Sequence, residues 1–201
     1  MRNELRPALV LLVGLTGLTG LVYPLAMTGV AGVLFPSQAQ GSLIHKGDTI
    51  VGSALIGQNF TSDRYFHGRP SATSAPDPAD STKTVAAPYN AASSGGSNLG
   101  PSNAALIDRV KQDVATLQAE NPSAPIPGDL VTTSGSGLDP DISPEAALFQ
   151  VPRVAKVRNQ PEADVRALVE RHIVSPLAGV LGEPHVNVLS LNLALDGVAP
   201  R

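Results

Sequence analysis

The chain has no cysteine and no tryptophan, and aromatic residues make up only 3% of its 201 positions. No disulfide can staple it, so its folded part must rest on an apolar core or on a partner. Charge is scarce as well: Asp, Glu, Lys and Arg together reach 15%, well below the usual quarter. There is no basic run and the formal net charge is −3, which removes the electrostatic footprint of a nucleic-acid binder.

The shortage of charge has one main source. Ala8 to Phe35, "ALVLLVGLTGLTGLVYPLAMTGVAGVLF", carries no charged residue and exceeds the roughly 20 apolar residues that span a bilayer. We read residues 8–35 as a transmembrane helix after a cytoplasmic stub at 1–7. Pro7 suits a first helical turn, whereas Pro24 lies far inside and is expected to kink the helix or end it there. Arg2 and Arg6 precede the segment and the next charge is Lys46, so the positive-inside rule puts residues 41–201 outside the cytoplasm. A cleaved secretory signal has an apolar core of only about 7–15 residues, too short for this run, although Ala39 in "SQAQG" would serve as a cleavage site. Gly14, Gly17 and Gly20 are candidates for close packing against another membrane helix.

Beyond Gly41 the balance is mildly acidic, about −4, because only Arg2, Glu4 and Arg6 among the charged residues precede it. "DTIVGSALIGQNF" has the apolar and β-branched pattern of a strand between Gly47 and Gly57. Gly68 to Asn103 is rich in Pro, Ser, Ala, Gly and Asp without periodicity, the composition of a long loop. Loops of that length are commonly functional, so "YFHGRPSATSAPDP" and "SGGSNLGPSN" are the places to look for a binding surface. The partner-contact candidates there are Tyr65, Phe66, Arg69, Gly95, Gly96 and Asn98.

Three helices follow from caps and periodicity. Ser102 or Asn103 caps one carrying Leu106, Ile107, Val110, Val114 and Leu117, which ends near Asn121 and Pro122. Ser143, Pro144 and Glu145 open a second, which Pro152 is expected to bend or end. The third, "PEADVRALVERHI", places Val165, Leu168, Val169 and Ile173 on one face, with His172 beside them. The last element, "HVNVLSLNLALD", alternates Leu189, Leu191, Leu193 and Leu195 with smaller or polar residues and reads as a strand. Strands with at least three helices make an α+β domain, anchored by the one N-terminal span.

Chemistry is harder to find. Gly95, Gly100, Pro101 and Ser102 have the spacing of a phosphate-binding loop, but proline stands where that loop needs lysine. A tight turn into a capped helix accounts for the same residues. His45, His67, His172 and His185 lack metal-ligand spacing. Asp139, Asp141 and Glu145 lack a calcium-loop pattern. "SGSG" at Ser134 to Gly137 has serine where a nucleophile elbow needs glycine. No catalytic residue and no metal site is expected.

Taken together and in order, "GSALIGQNF", "YFHGRPSA", "SGGSNLGPSN", "DLVTTSGSGLDPDISPEAALFQVPRVA" and "VNVLSLNLAL" resemble the C subunit of the Kdp potassium-transporting P-type ATPases. The resemblance implies a single-pass protein of a bacterial inner membrane. Its partners would be a channel-like subunit that selects potassium, a P-type subunit that hydrolyses ATP, and a small single-helix subunit. The chain itself would be an accessory, non-catalytic subunit without a cofactor of its own, ATP and the potassium ion being handled by the complex. The resemblance also carries an alternative, a nucleotide-binding regulator or "catalytic chaperone" that raises the ATP affinity of the hydrolysing subunit. The nucleotide candidates would then be Ser134, Gly135, Ser136, Gly137 and Gln150. The charge asymmetry argues against it, since it separates residues 41–201 from cytoplasmic ATP.

Overall fold

A computed structural model describes residues 2–198. Met1, Ala199, Pro200 and Arg201, with the side chains of Arg2 and Asn3, lie outside the described residues, so neither the start of the expected stub nor the last residues of the expected domain are included. The chain divides into two units between Leu43 and Ile44.

The first unit is helical: α1 Arg2–Gly17, a π-helical turn Leu18–Val22, α2 Tyr23–Leu34 and a short α3 Pro36–Ala39. Glu4–Leu34 is long and apolar enough to cross a membrane. At 1.5 Å per residue its 31 residues reach about 46 Å, against a hydrocarbon core of about 30 Å. Of the two outcomes expected at Pro24, a kink or an end, the second is not seen: the helix does not end there but passes through the π-helical turn into α2. Proline offers no N–H to the residue four back and its ring crowds that carbonyl, so the turn before it widens. The Tyr23 N–H accordingly bonds to Leu18 O, five residues back, and Thr19 donates its hydroxyl to Leu15 O at 2.8 Å.

The second unit, from Ile44 on, is α+β, and the division falls after the first residue of its first strand. A hairpin of β1 Leu43–Lys46 and β2 Thr49–Ser53 turns at Gly47, whose φ of +61° suits glycine. Only the first part of the strand expected in "DTIVGSALIGQNF" is therefore extended. Residues 68–103 form an irregular run containing one small antiparallel ladder, β3 Ser74–Pro76 with β4 Thr84–Ala86, in which Ala75 faces Val85. After α4 Ala104–Glu120 come β5 Asp141–Ile142, α5 Pro144–Arg158, α6 Glu162–Arg171, β6 Ile173–Val174, β7 His185–Asn187 and α7 Val188–Leu195. The three short strands form an antiparallel sheet in the order β5-β7-β6, with Val186 opposite both Ile142 and Ile173.

The caps are where the side chains can make them. The side chain of Asn103 accepts from Ala105 N, that of Ser143 from Ala146 N and that of Asn187 from Ser190 N. The helix α5 runs through Pro152 to Arg158 and stops where Asn159 turns left-handed at φ 53°. Val151, Val154, Val165, Val169, Val186 and Leu191 form the centre of the core.

The expected C-terminal strand is instead β7 followed by α7. Val188, Leu191 and Leu195 pack into the main core, while Leu189 and Leu193 pack with Ile44 and Val51 of the hairpin. A helix covered on two sides is apolar nearly all round, so its alternation does not distinguish it from a strand.

Candidate functional site: a clamped strap and two interlocked glycine loops

The segment Asp63–Arg69 is an irregular strap whose backbone finds side-chain partners in place of a neighbouring strand. Asn192, 2% exposed inside the apolar α7, accepts from Phe66 N at 2.8 Å and donates to Phe66 O at 3.0 Å. Gln150, 1% exposed on α5, does the same for the next residue, accepting from His67 N at 2.8 Å and donating to His67 O at 3.1 Å. Its amide also donates to Ala146 O, and its oxygen accepts from Arg153. Both buried amides are thereby satisfied, the condition under which burying them is tolerable.

Two guanidinium groups from the same helix complete the clamp. Arg153 donates to Asp63 O, Tyr65 O and Glu120. Arg158 donates to Arg64 O, Leu195 O and Asp196, and lies 5.0 Å from the centre of the Tyr65 ring. The Tyr65 hydroxyl donates to the other oxygen of Asp196 at 2.8 Å. Burial pushes the Asp196 carboxyl up, but the hydrogen bonds from Arg158 and Tyr65 outweigh it and hold its pKa below the usual value. At the end of the strap, Arg69 pairs with Asp139 at 3.0 Å and its carbonyl accepts from the Tyr89 hydroxyl at 2.7 Å. Burial, then the charge of Asp139, pushes that phenol up to about 12.

A cleft of about 510 Å³ lies between the strap and α4, with Phe60, His67, Arg69, Tyr89, Asp113 and Glu120 among its lining. Burial, then the Arg153 charge, holds His67 below the ordinary histidine value, so its ring is neutral at neutral pH. Its Nε2 is 3.1 Å from Ser62 O.

The two glycine loops meet each other. Gly95 N donates to Ser136 O at 2.8 Å, and the Ser94 hydroxyl donates to the same oxygen. Thr133 donates to the Ser97 hydroxyl across the same seam. Ser134 is buried and accepts from Gly137 N at 2.8 Å, and Gly137 O accepts from Ser71 at 2.7 Å. A Cβ on Gly137 would stand 2.6 Å from Thr73 Cγ2 and 2.7 Å from Gly95 O, with φ at +66°. One on Gly96 would stand 3.1 Å from Gly135 O. Nothing lies within 4 Å of a Cβ built on Gly95, Gly100 or Gly135. Gly96 and Gly137 thus serve close approach of two pieces of backbone, and the N–H groups of Gly95 and Gly137 are occupied.

Of the partner-contact candidates, Phe66 is wholly buried in the core, Tyr65 and Arg69 are half-buried in the clamp, and Gly95 and Gly96 are half-buried in the seam. Asn98 is exposed, with a left-handed φ of 51°. No Cβ added at Gly14, Gly17 or Gly20 would meet an atom of this chain within 4 Å. No group of three or more His, Asp or Glu side chains among the described residues is arranged to hold a metal.

A model of the K+-transporting ATPase c chain matches residues 5–197. The chain belongs to the KdpC family. The potassium-transporting ATPase KdpC subunit of Rhodopseudomonas palustris is 71% identical over 201 residues, the whole of both chains. That of Bradyrhizobium diazoefficiens is 69% identical, and that of Methylobacterium nodulans 68%, each again over the full length of both chains. The KdpC match takes in the apolar helix, the strap, both glycine loops and the three-stranded sheet. Reasoning from sequence singled out Gln150 and the loops but missed Asn192, Arg153, Arg158 and Tyr89. A lone asparagine in the middle of "LSLNLAL" was the available signal for Asn192, since a buried amide needs partners.

Proposed function

We propose that the chain is an accessory, non-catalytic subunit of an ATP-driven potassium-uptake complex, its folded unit lying outside the cytoplasm of a bacterial inner membrane. In this reading the apolar helix packs on partner subunits, and the folded unit braces the outer mouth of the channel-like subunit. Its effect on ATP turnover is then a coupling between states of the assembly, which requires it to bind those states with different affinities. The observation that carries this reading is the use of Gln150 and the Gly95 and Gly137 N–H groups within the chain. A phosphate cradle needs such donors free. Arg2 and Arg6 ahead of the apolar run, with no charge until Lys46, support the orientation.

The test is a complex assembled with the chain truncated after Gly41. We expect loss of potassium affinity, of turnover or of complex integrity, and all three unchanged would sink the reading. Saturable photolabelling of the full chain by an azido-ATP, with the adduct at Ser134–Gly137 or Gln150, would favour the nucleotide-binding regulator instead.

A further inference from the structure

The helix α4 is held differently from the other long helices of the folded unit. Helix α5 buries seven side chains, Gln150 among them, and α7 buries six, whereas α4 buries none over its 17 residues. None of the described helices or strands packs along it. Its links to the rest of the unit gather at its C-terminal end. Leu117 packs on the main core, Glu120 pairs with Arg153 at 2.8 Å, and the Asn121 side chain donates to Phe149 O at 3.0 Å. From Ala104 to Thr116, every side-chain hydrogen bond and ion pair among the described residues stays within the helix or its Asn103 cap.

The chain on either side of α4 suits movement about that end. Helical geometry stops at Asn121, where φ is −139° and ψ is 83°. At the other end the glycine seam reaches Ser97, and the exposed run Asn98–Asn103 joins it to the helix. That run can extend to about 20 Å, yet here it folds into a turn with Asn103 N donating to Gly100 O, so it holds slack. What α4 covers is the cleft of about 510 Å³, to which it contributes Asp113, Thr116, Leu117 and Glu120. Arg109, one turn before Asp113, pairs with it through Nη1 at 2.7 Å, but its Nη2 is buried without a partner. An orphan donor is costly when buried and water satisfies it, so the closed position carries a penalty that lifting the helix relieves.

We propose that α4 is a lid, hinged at Glu120 and Asn121, that lifts as a helix from the cleft while the rest of the folded unit keeps its structure. Lifting opens the cleft at His67 and Tyr89. It also gives the unit an element with two arrangements, which a partner favouring one of them can bias. The movement belongs to the chain alone and does not rest on the accessory-subunit reading. The chain is free of cysteine, so pairs of nitroxide labels can be placed on the full chain in detergent and their separations read by pulsed electron resonance. One pair, Ala105→Cys with Lys156→Cys, joins the first turn of α4 to α5; the other, Ala119→Cys with Lys156→Cys, joins the hinge end to the same point, and all three positions are exposed. Ala105 stands about 21 Å along the helix from Ala119, so a swing of about 20° moves its label by about 7 Å. The lid predicts two distances for the first pair and one for the second. A single distance in the first pair overturns it. Two distances in both pairs would mean a general loosening of the unit, and a featureless spread at Ala105 would mean that α4 unwinds; either also overturns it. Arg109→Met keeps the apolar stem and removes the orphan donor, and should lower the lifted share about fivefold or more. An unchanged share counts against the lid.

Discussion

At the scale of single residues, the folded unit depends on a few polar side chains doing the work of a missing strand. Truncating Asn192 to Ala leaves the N–H and C=O of Phe66 buried without partners, at about 1–3 kcal/mol for each group. We expect Asn192→Ala to lower the unfolding free energy by roughly 2–5 kcal/mol in denaturant titration of the full chain. The glycines separate in the same way. Gly137→Ala meets both a left-handed φ and close neighbours and should cost roughly 2–4 kcal/mol. Gly100→Ala has open space and a φ that needs no glycine, so its cost should stay within about 1 kcal/mol. Equal effects at the two positions would contradict the interlock. His67 gives a pH signature. Its folded pKa is below the unfolded value of 6.5, so the unfolded chain takes up the proton more readily and folding weakens as pH falls below 6.5 toward the folded value. His67→Gln should remove that part of the pH dependence, as the stability difference between the two proteins measured at pH 7.5 and 5.5 would show.

At the scale of elements, legibility followed how a segment is covered. The helices α4, α5 and α6 were readable because each has a polar face, and Asn103 and Ser143 stand at the right positions to cap two of them. The opposite held for α7. Packed on two sides, it lacks the polar face that reveals a 3.6-residue period, and Asn187 alone marked the change from β7. Pro24 was expected to kink its helix or end it and Pro152 to bend its helix or end it, because a proline removes one hydrogen bond, and neither helix ends there. The strap was visible as the string "YFHGRP", but its clamps come from α5 and α7, more than 80 residues away in the chain, and no local pattern encodes such pairing. An element-scale prediction follows from Asn187, which caps α7 and also donates to Ala54 O and Asp141. Asn187→Ala should cost about 1–3 kcal/mol, with amide exchange rising first at Ser190.

At the scale of the whole molecule, the account joins an apolar helix able to cross a membrane to a folded unit that uses its conspicuous loops for its own cohesion. Both glycine loops and Gln150 have structural roles within the chain, and the accessory-subunit reading places the folded unit on the side away from ATP. The most direct test is side-specific labelling of a single thiol at Ser81→Cys, in intact cells expressing the complete complex, with a maleimide that cannot cross the inner membrane. The account predicts labelling from outside. Labelling only after the inner membrane is opened would put the folded unit beside the nucleotide and contradict it.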